Sequence, residues 1–168
     1  NELLPQSTVS ALTTYRRNQS QTVVSSFQNQ PRDQFGGPTY YRSNSTIQAM
    51  STLLGYNASA SGNRSTALGG FANAREDSAI ALGVYAIAFG KSSIAIGDQA
   101  RANQLNGVAI GPDSYTDGSN SIAIGPGAVA GSDFDVVIGQ DAVTAPNGLS
   151  SVLIGYSGSI TSRRSIGI

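Results

Sequence analysis

The sequence predicts an all-β chain wound as a solenoid of 14-residue repeats. Three observations carry this reading: a Leu-Gly or Ile-Gly pair that returns every 14 residues, a β-branched residue three positions before each of those glycines, and a charged content of only 12%. The pairs are Leu54-Gly55, Leu68-Gly69, Leu82-Gly83, Ile96-Gly97, Ile110-Gly111, Ile124-Gly125 and Ile138-Gly139. Ile154-Gly155 follows after 16 residues, and the two extra residues fall within Ala145 to Gly148, where Pro146 and Asn147-Gly148 mark a turn that tolerates insertion. Ser165, Ile166 and Ile168 then fall in the expected columns, so the chain reads as stopping inside a ninth repeat.

Each repeat offers two short strands and two turns. Thr52, Thr66, Ile80, Ile94, Val108, Ile122, Val136 and Val152 stand two positions before the Leu or Ile of each pair, so the two columns share one strand face. Between them, pointing the opposite way, lie Ala67, Ala81, Ala95, Ala109 and Ala123, with Leu53, Val137 and Leu153 in the other repeats. Beyond the glycine a second alternation appears, as in Ala72/Ala74, Ala86/Ala88 and Ala100/Ala102. Such units bury their apolar faces only against their neighbours.

A coil of this length has a contour of about 46 Å and is therefore flat, with room for one thin layer of side chains. The alanine column forms a strip longer than a lone soluble chain exposes, and other copies of the chain are expected to cover it. Ala67, Ala81, Ala95, Ala109 and Ala123 are thus candidates for an interface between copies. The reverse assignment, with the alanines lining the coil and the branched residues outside, needs a partner equally.

The repeats SSIAIGDQARA, NGVAIGPDSYT and NSIAIGPGAVAG resemble the head repeats of YadA-like trimeric autotransporter adhesins, over about residues 51 to 168. The resemblance implies a left-handed parallel β-roll in a homotrimer, displayed on a surface fibre that attaches to host matrix or cells. It also implies an outer-membrane anchor in a C-terminal region outside this sequence. A collagen-associated motif of that family, Asn-Ser-Val-Ala-Ile-Gly followed after two intervening residues by Ser, is met in part twice. Asn106 to Gly111 with Ser114 has Gly107 for the first serine, and Asn120 to Gly125 keeps Ser121 but has Ala128 at the end. The resemblance makes Asn106, Ser114, Asn120 and Ser121 the candidate ligand-binding residues.

Composition agrees. The 168 residues carry ten basic and ten acidic side chains, with no Cys, His or Trp. A cysteine-free solenoid suits an exported or virion fibre held by packing. No basic patch suggests nucleic acid, no run of 18 apolar residues spans a membrane, and no signal peptide opens the chain. Residues 1 to 50 carry no 14-residue register and are rich in Asn, Gln, Ser and Thr, which reads as an N-terminal polar arm or cap before the roll of residues 51 to 168.

No enzyme is expected. Without histidine there is no Ser-His pair, and Lys91, the only lysine, leaves a Ser-Lys dyad as the one nucleophilic option. No cofactor or metal site is expected either, since Asp113, Asp117, Asp133, Asp135 and Asp141 do not share one column and read as solvated turn residues. The tyrosines, among them Tyr56, Tyr85, Tyr115 and Tyr156, read as packing at turns and interfaces or as exposed contact residues. Two further classes stay open beside the adhesin head: a fibre or spike of a bacteriophage virion, and a structural spacer without ligand.

Overall fold

The computed structural model describes residues 50–146, 150–162 and 164–168. The expected arm or cap lies outside the described residues, apart from Met50. Among the described residues the chain forms strands and turns and no helix. Three-residue strands such as Ile80–Leu82, Ile94–Ile96 and Val108–Ile110 stack into a nine-stranded parallel sheet. Two-residue strands such as Ile87–Ala88, Arg101–Ala102 and Tyr115–Thr116 stack into an eight-stranded one.

Pairing is between equivalent residues of successive repeats, as in Ile94 with Val108, Ala95 with Ala109 and Ile96 with Ile110. One sequence repeat is therefore one coil. The bonds that join coils run along the axis: the Ile94 N–H donates to the Gly107 carbonyl and the Gly97 N–H to the Leu82 carbonyl, both at 2.8 Å. Val129 pairs with Val143, but Val136 pairs with Val152 and Val143 with Ser159. The longer repeat thus takes its extra residues after Thr144 and before Val152, where Pro146 and the Asn-Gly pair predict a turn.

The interior is built from small side chains. Ser93, Ala95, Ala100 and Ala102 of one coil are all fully buried, and the alanine column from Ala67 to Ala123 has no exposure at all. This corrects the expected interface: Ala67, Ala81, Ala95, Ala109 and Ala123 line the coil and lie beyond the reach of a second copy. The reason is thickness. A coil this short brings its two sheets so close that methyl must face methyl, and the branched neighbours are driven outward. Where the coil lengthens, the interior grows with it: Val137, Thr144, Leu153 and Ile160 occupy the inward positions there.

Two tight turns close each coil. The Ser93 N–H donates to the Gly90 carbonyl at 3.1 Å and the Ala100 N–H to the Gly97 carbonyl at 3.4 Å. The third residue of each turn, Ser92 or Gln99, has φ 55°, as a type II turn demands. Gly97 explains the Ile-Gly signature itself, because its φ is +135° and a Cβ there would lie 2.5 Å from the Gly111 carbonyl of the next coil. Only glycine lets the corners stack this closely.

Candidate functional site

Asn106 and Asn120 stand one above the other at the turn that follows the eight-stranded sheet, with φ of 54° and 56°. Asparagine tolerates this left-handed conformation because its short amide leaves the backbone room. Both are exposed, and Asn106 Nδ2 donates to Asn120 Oδ1 at 2.9 Å, a single amide pair flanked in its column by Ser92 and Phe134. Leu105 and Phe134, 46% and 57% exposed, belong to the same turn columns. Ser114 and Ser121 are placed otherwise. Both are fully buried, with Ser114 Oγ donating to the Gly111 carbonyl at 2.8 Å and Ser121 Oγ to the Gly118 carbonyl at 2.6 Å. These two serines fasten turns from inside the coil, so a macromolecular ligand does not reach them, and the four expected ligand residues do not form one surface.

The outward face of the nine-stranded sheet carries Thr52 and Thr66 in its first two coils and is apolar from Ile80 onward. Ile80, Leu82, Ile94, Ile96, Val108, Ile110, Ile122 and Ile124 are half-buried only because each shields the next, while Ile138 is 37% exposed. The eight-stranded sheet turns a mixed face outward. There the Arg75 guanidinium lies 4.8 Å from the centre of the Phe89 ring, and Asn103 Nδ2 donates to Tyr115 Oη at 3.0 Å and to Asp117 Oδ1 at 3.1 Å. Burial, and then the negative charge of Asp117, push the Tyr115 hydroxyl above the usual tyrosine value.

Asp77 and Asp133 serve the backbone. Asp77 accepts from the Asn63 N–H at 3.0 Å and Asp133 from the Ser119 N–H at 2.7 Å, each across one coil. Asp135 is not a solvated turn residue, for it is fully buried. Among the described residues no three His, Cys, Asp or Glu side chains gather as metal ligands would.

The opposite corner holds a feature that residue-by-residue reading missed. Phe71 and Tyr85 stack at 4.8 Å with 7° between their rings, and Tyr56 meets Phe71 edge-on at 5.4 Å and 78°. All three are exposed, by 55% at Tyr56, 39% at Phe71 and 51% at Tyr85. Phe71 and Tyr85 also occupy left-handed positions, φ 59° and 56°, where other coils place Asn57, Asp113, Gly127 and Asp141. A bulky residue there costs about 1–2 kcal/mol, and ring stacking restores only about 0.5–1.5 kcal/mol. The two terms are of similar size, so ring stacking offsets most of the backbone cost at this corner. The 14-residue spacing of Phe71 and Tyr85, beside the doubled Gly69-Gly70, was the signal available in the sequence.

Comparison with known proteins gives the same architecture. The family described as YadA head domain repeat matches residues 54–72, 60–86, 74–100, 88–114 and 117–142. The crystal structure of the collagen-binding domain of the Yersinia adhesin YadA is similar, with 32% sequence identity, a TM-score of 0.55, and coverage of 67% of this chain and 69% of that one. No curated protein matches the sequence. The matched residues cover more than half of the chain, and the chain belongs to the YadA head repeat family.

Proposed function

We propose that this chain forms the attachment head of a homotrimeric surface fibre and binds host matrix or cell-surface components without turning over a substrate. The observation that carries the reading is the apolar outward face of the nine-stranded sheet. From Ile80 to Ile154 six successive coils each turn two Ile, Val or Leu side chains outward, a continuous apolar patch of a kind that soluble monomers rarely expose, and three copies packed about one axis would cover it. The eight-stranded sheet and the two turn corners would then face outward, each presented three times, so weak contacts combine through multivalency. The similarity to a collagen-binding domain of a Yersinia adhesin supports matrix attachment as the activity. Display would be at the cell surface, through an anchor elsewhere in the full protein.

Sedimentation and adhesion of the purified protein to matrix proteins and cells test both halves. The expected result is a trimer that adheres. Ile94→Asp combined with Ile110→Asp puts two charges into the proposed interface, at several kcal/mol each when buried and unpaired, and should give dispersed chains with lost adhesion. A wild-type protein that is a stable, well-dispersed monomer would overturn the trimer. A trimer that adheres to nothing would leave a spacer, and neighbouring virion genes would make it a phage fibre.

A further inference from the structure

Phe134 occupies a left-handed position without the compensation found at the other aromatics. Its φ is 61°, and a bulky side chain there costs about 1–2 kcal/mol. Phe71 and Tyr85 offset that cost by stacking on each other, but the ring contacts among the described residues are those of Tyr56, Phe71 and Tyr85, and Phe134 has no share in them. In the same column other coils place Ser78, Ser92, Asn106, Asn120 and Ser150. A strained ring, 57% exposed, that packing does not account for is where a functional reason is to be sought. The groups beside it form hydrogen bonds. Asn120 precedes Phe134 in the column by one coil, about 4.8 Å along the axis. Asn120 Oδ1 is taken by Asn106 Nδ2, which leaves Asn120 Nδ2 a free donor and Asn106 Oδ1 a free acceptor among the described residues. Asp133 is exposed, gives Oδ1 to the Ser119 N–H and keeps Oδ2 free. The main chain of these turns is already spent between coils: the Asn120 N–H donates to the Leu105 carbonyl at 2.8 Å, the Phe134 N–H to the Ser119 carbonyl at 3.0 Å and the Ser150 N–H to the Asp133 carbonyl at 3.1 Å. A peptide strand therefore finds no backbone here to pair with.

We propose that Phe134, Asn120, Asn106 and Asp133 bind one pyranose ring of a neutral saccharide. A pyranose has an apolar C–H face that lies against the electron-rich face of an aromatic ring, and a rim of hydroxyls that both donate and accept. The corner supplies one ring, one amide donor and two acceptors. One acceptor is a carboxylate, whose hydrogen bonds are the stronger kind. Asn106 holds the Asn120 amide by its oxygen, so the amide nitrogen is the end presented to a ligand. No Lys or Arg occurs from residue 102 to residue 162, and Asp133 stands in the site, so a sialylated or sulfated sugar would meet an unbalanced negative charge. The ligand is therefore neutral. A single site on a turn binds weakly, and three copies meeting the repeated sugars of a glycan combine through multivalency. The proposal rests on the reading of the chain as an attachment head, and it names a ligand class for one corner of that head.

The test is saturation-transfer NMR, with titration, of the folded wild-type protein against the methyl pyranosides of glucose, galactose and mannose, and against sialic acid as the anionic counterpart. At least one neutral pyranoside should bind, with transfer strongest at its ring C–H protons, and sialic acid should not. Phe134→Ser installs the residue that Ser92 and Ser150 supply in the same column, so the variant should melt no lower than wild type and yet bind about tenfold or more weakly. Asn120→Ser removes one donor and should cost about fivefold. Phe71→Asn, at the other corner, should leave binding unchanged. Unchanged binding by Phe134→Ser would overturn the site, and so would a preference for sialic acid over the neutral sugars. If none of these neutral pyranosides binds while the wild-type protein still sediments as a trimer and adheres to matrix, the saccharide site falls and the attachment reading stands. Pyranoside binding by a protein that adheres to neither matrix nor cells would keep the site and remove that reading.

Discussion

Asp135 occupies an inward column that elsewhere holds Ser65, Ala79, Ser93, Gly107 and Ser121. Its Oδ2 accepts from the Ser132 N–H at 3.1 Å and its Oδ1 from the Ser151 N–H at 2.8 Å, across the coil that carries the insertion. The carboxylate therefore braces the one place where the 14-residue spacing gives way. Asp135→Ala leaves two buried N–H groups without an acceptor, at about 1–3 kcal/mol each, and should lower the melting temperature by several degrees. Asp135→Asn, which keeps one acceptor, should lose less, and an unchanged melting temperature for Asp135→Ala would contradict the role. The repeat register separates Asp135 from the exposed Asp133, which stands in the column of Asn63, Asp77, Lys91 and Ser119, but a carboxylate in the small-residue column read as a solvated turn residue because its accommodation depends on the widened coil. Tyr115 gives a pH-dependent counterpart. Its pKa is raised above 10.0 by burial and by Asp117, so the folded state holds the phenolic proton more tightly than the unfolded chain. Its contribution is complete below pH 10 and declines as pH rises through the folded value. Spectrophotometric titration should show Tyr115 ionising above the usual tyrosine value, and Asp117→Asn should lower it toward that value.

At the scale of the strand, the sequence reveals position along the chain better than direction. The repeat, the parallel register and the site of the insertion were all readable, because each coil pairs with its own copy and any slip would break the Leu-Gly and Ile-Gly spacing. Which face of Ile94–Ile96 points inward was not. Both faces are apolar, so the alternation that usually marks inside from outside carries no sign here, and the answer lay in volume: methyls fit between the sheets and isoleucine does not. The same ambiguity misplaced Ser114 and Ser121, since a local motif does not say on which side of the backbone its hydroxyls lie. Ala95→Arg therefore forces a long cation into the coil itself and should prevent folding, while Asp98→Arg, at an exposed turn, should shift stability by no more than about 0.5 kcal/mol. Circular dichroism and thermal melts of the two variants decide it; equal effects would mean that the alanine column does not line the coil.

The whole molecule was legible as a class for a physical reason. In a solenoid each coil touches only its neighbours, so a pattern visible over two repeats already contains the architecture of all of them. The same one-dimensional order has a mechanical consequence. The backbone bonds between coils, such as Ile94 N–H to the Gly107 carbonyl, lie along the axis, so tension on the two ends of a chain loads them one coil at a time. A single chain should peel like a zipper. Each released coil exchanges about 4.8 Å of axial length for 14 residues of extended chain, a gain of roughly 43 Å. Single-molecule stretching of dispersed chains should show repeated low-force steps of that size, and one abrupt release of the entire roll would argue against it. A head of the kind proposed above would then yield stepwise under flow, lengthening before it lets go.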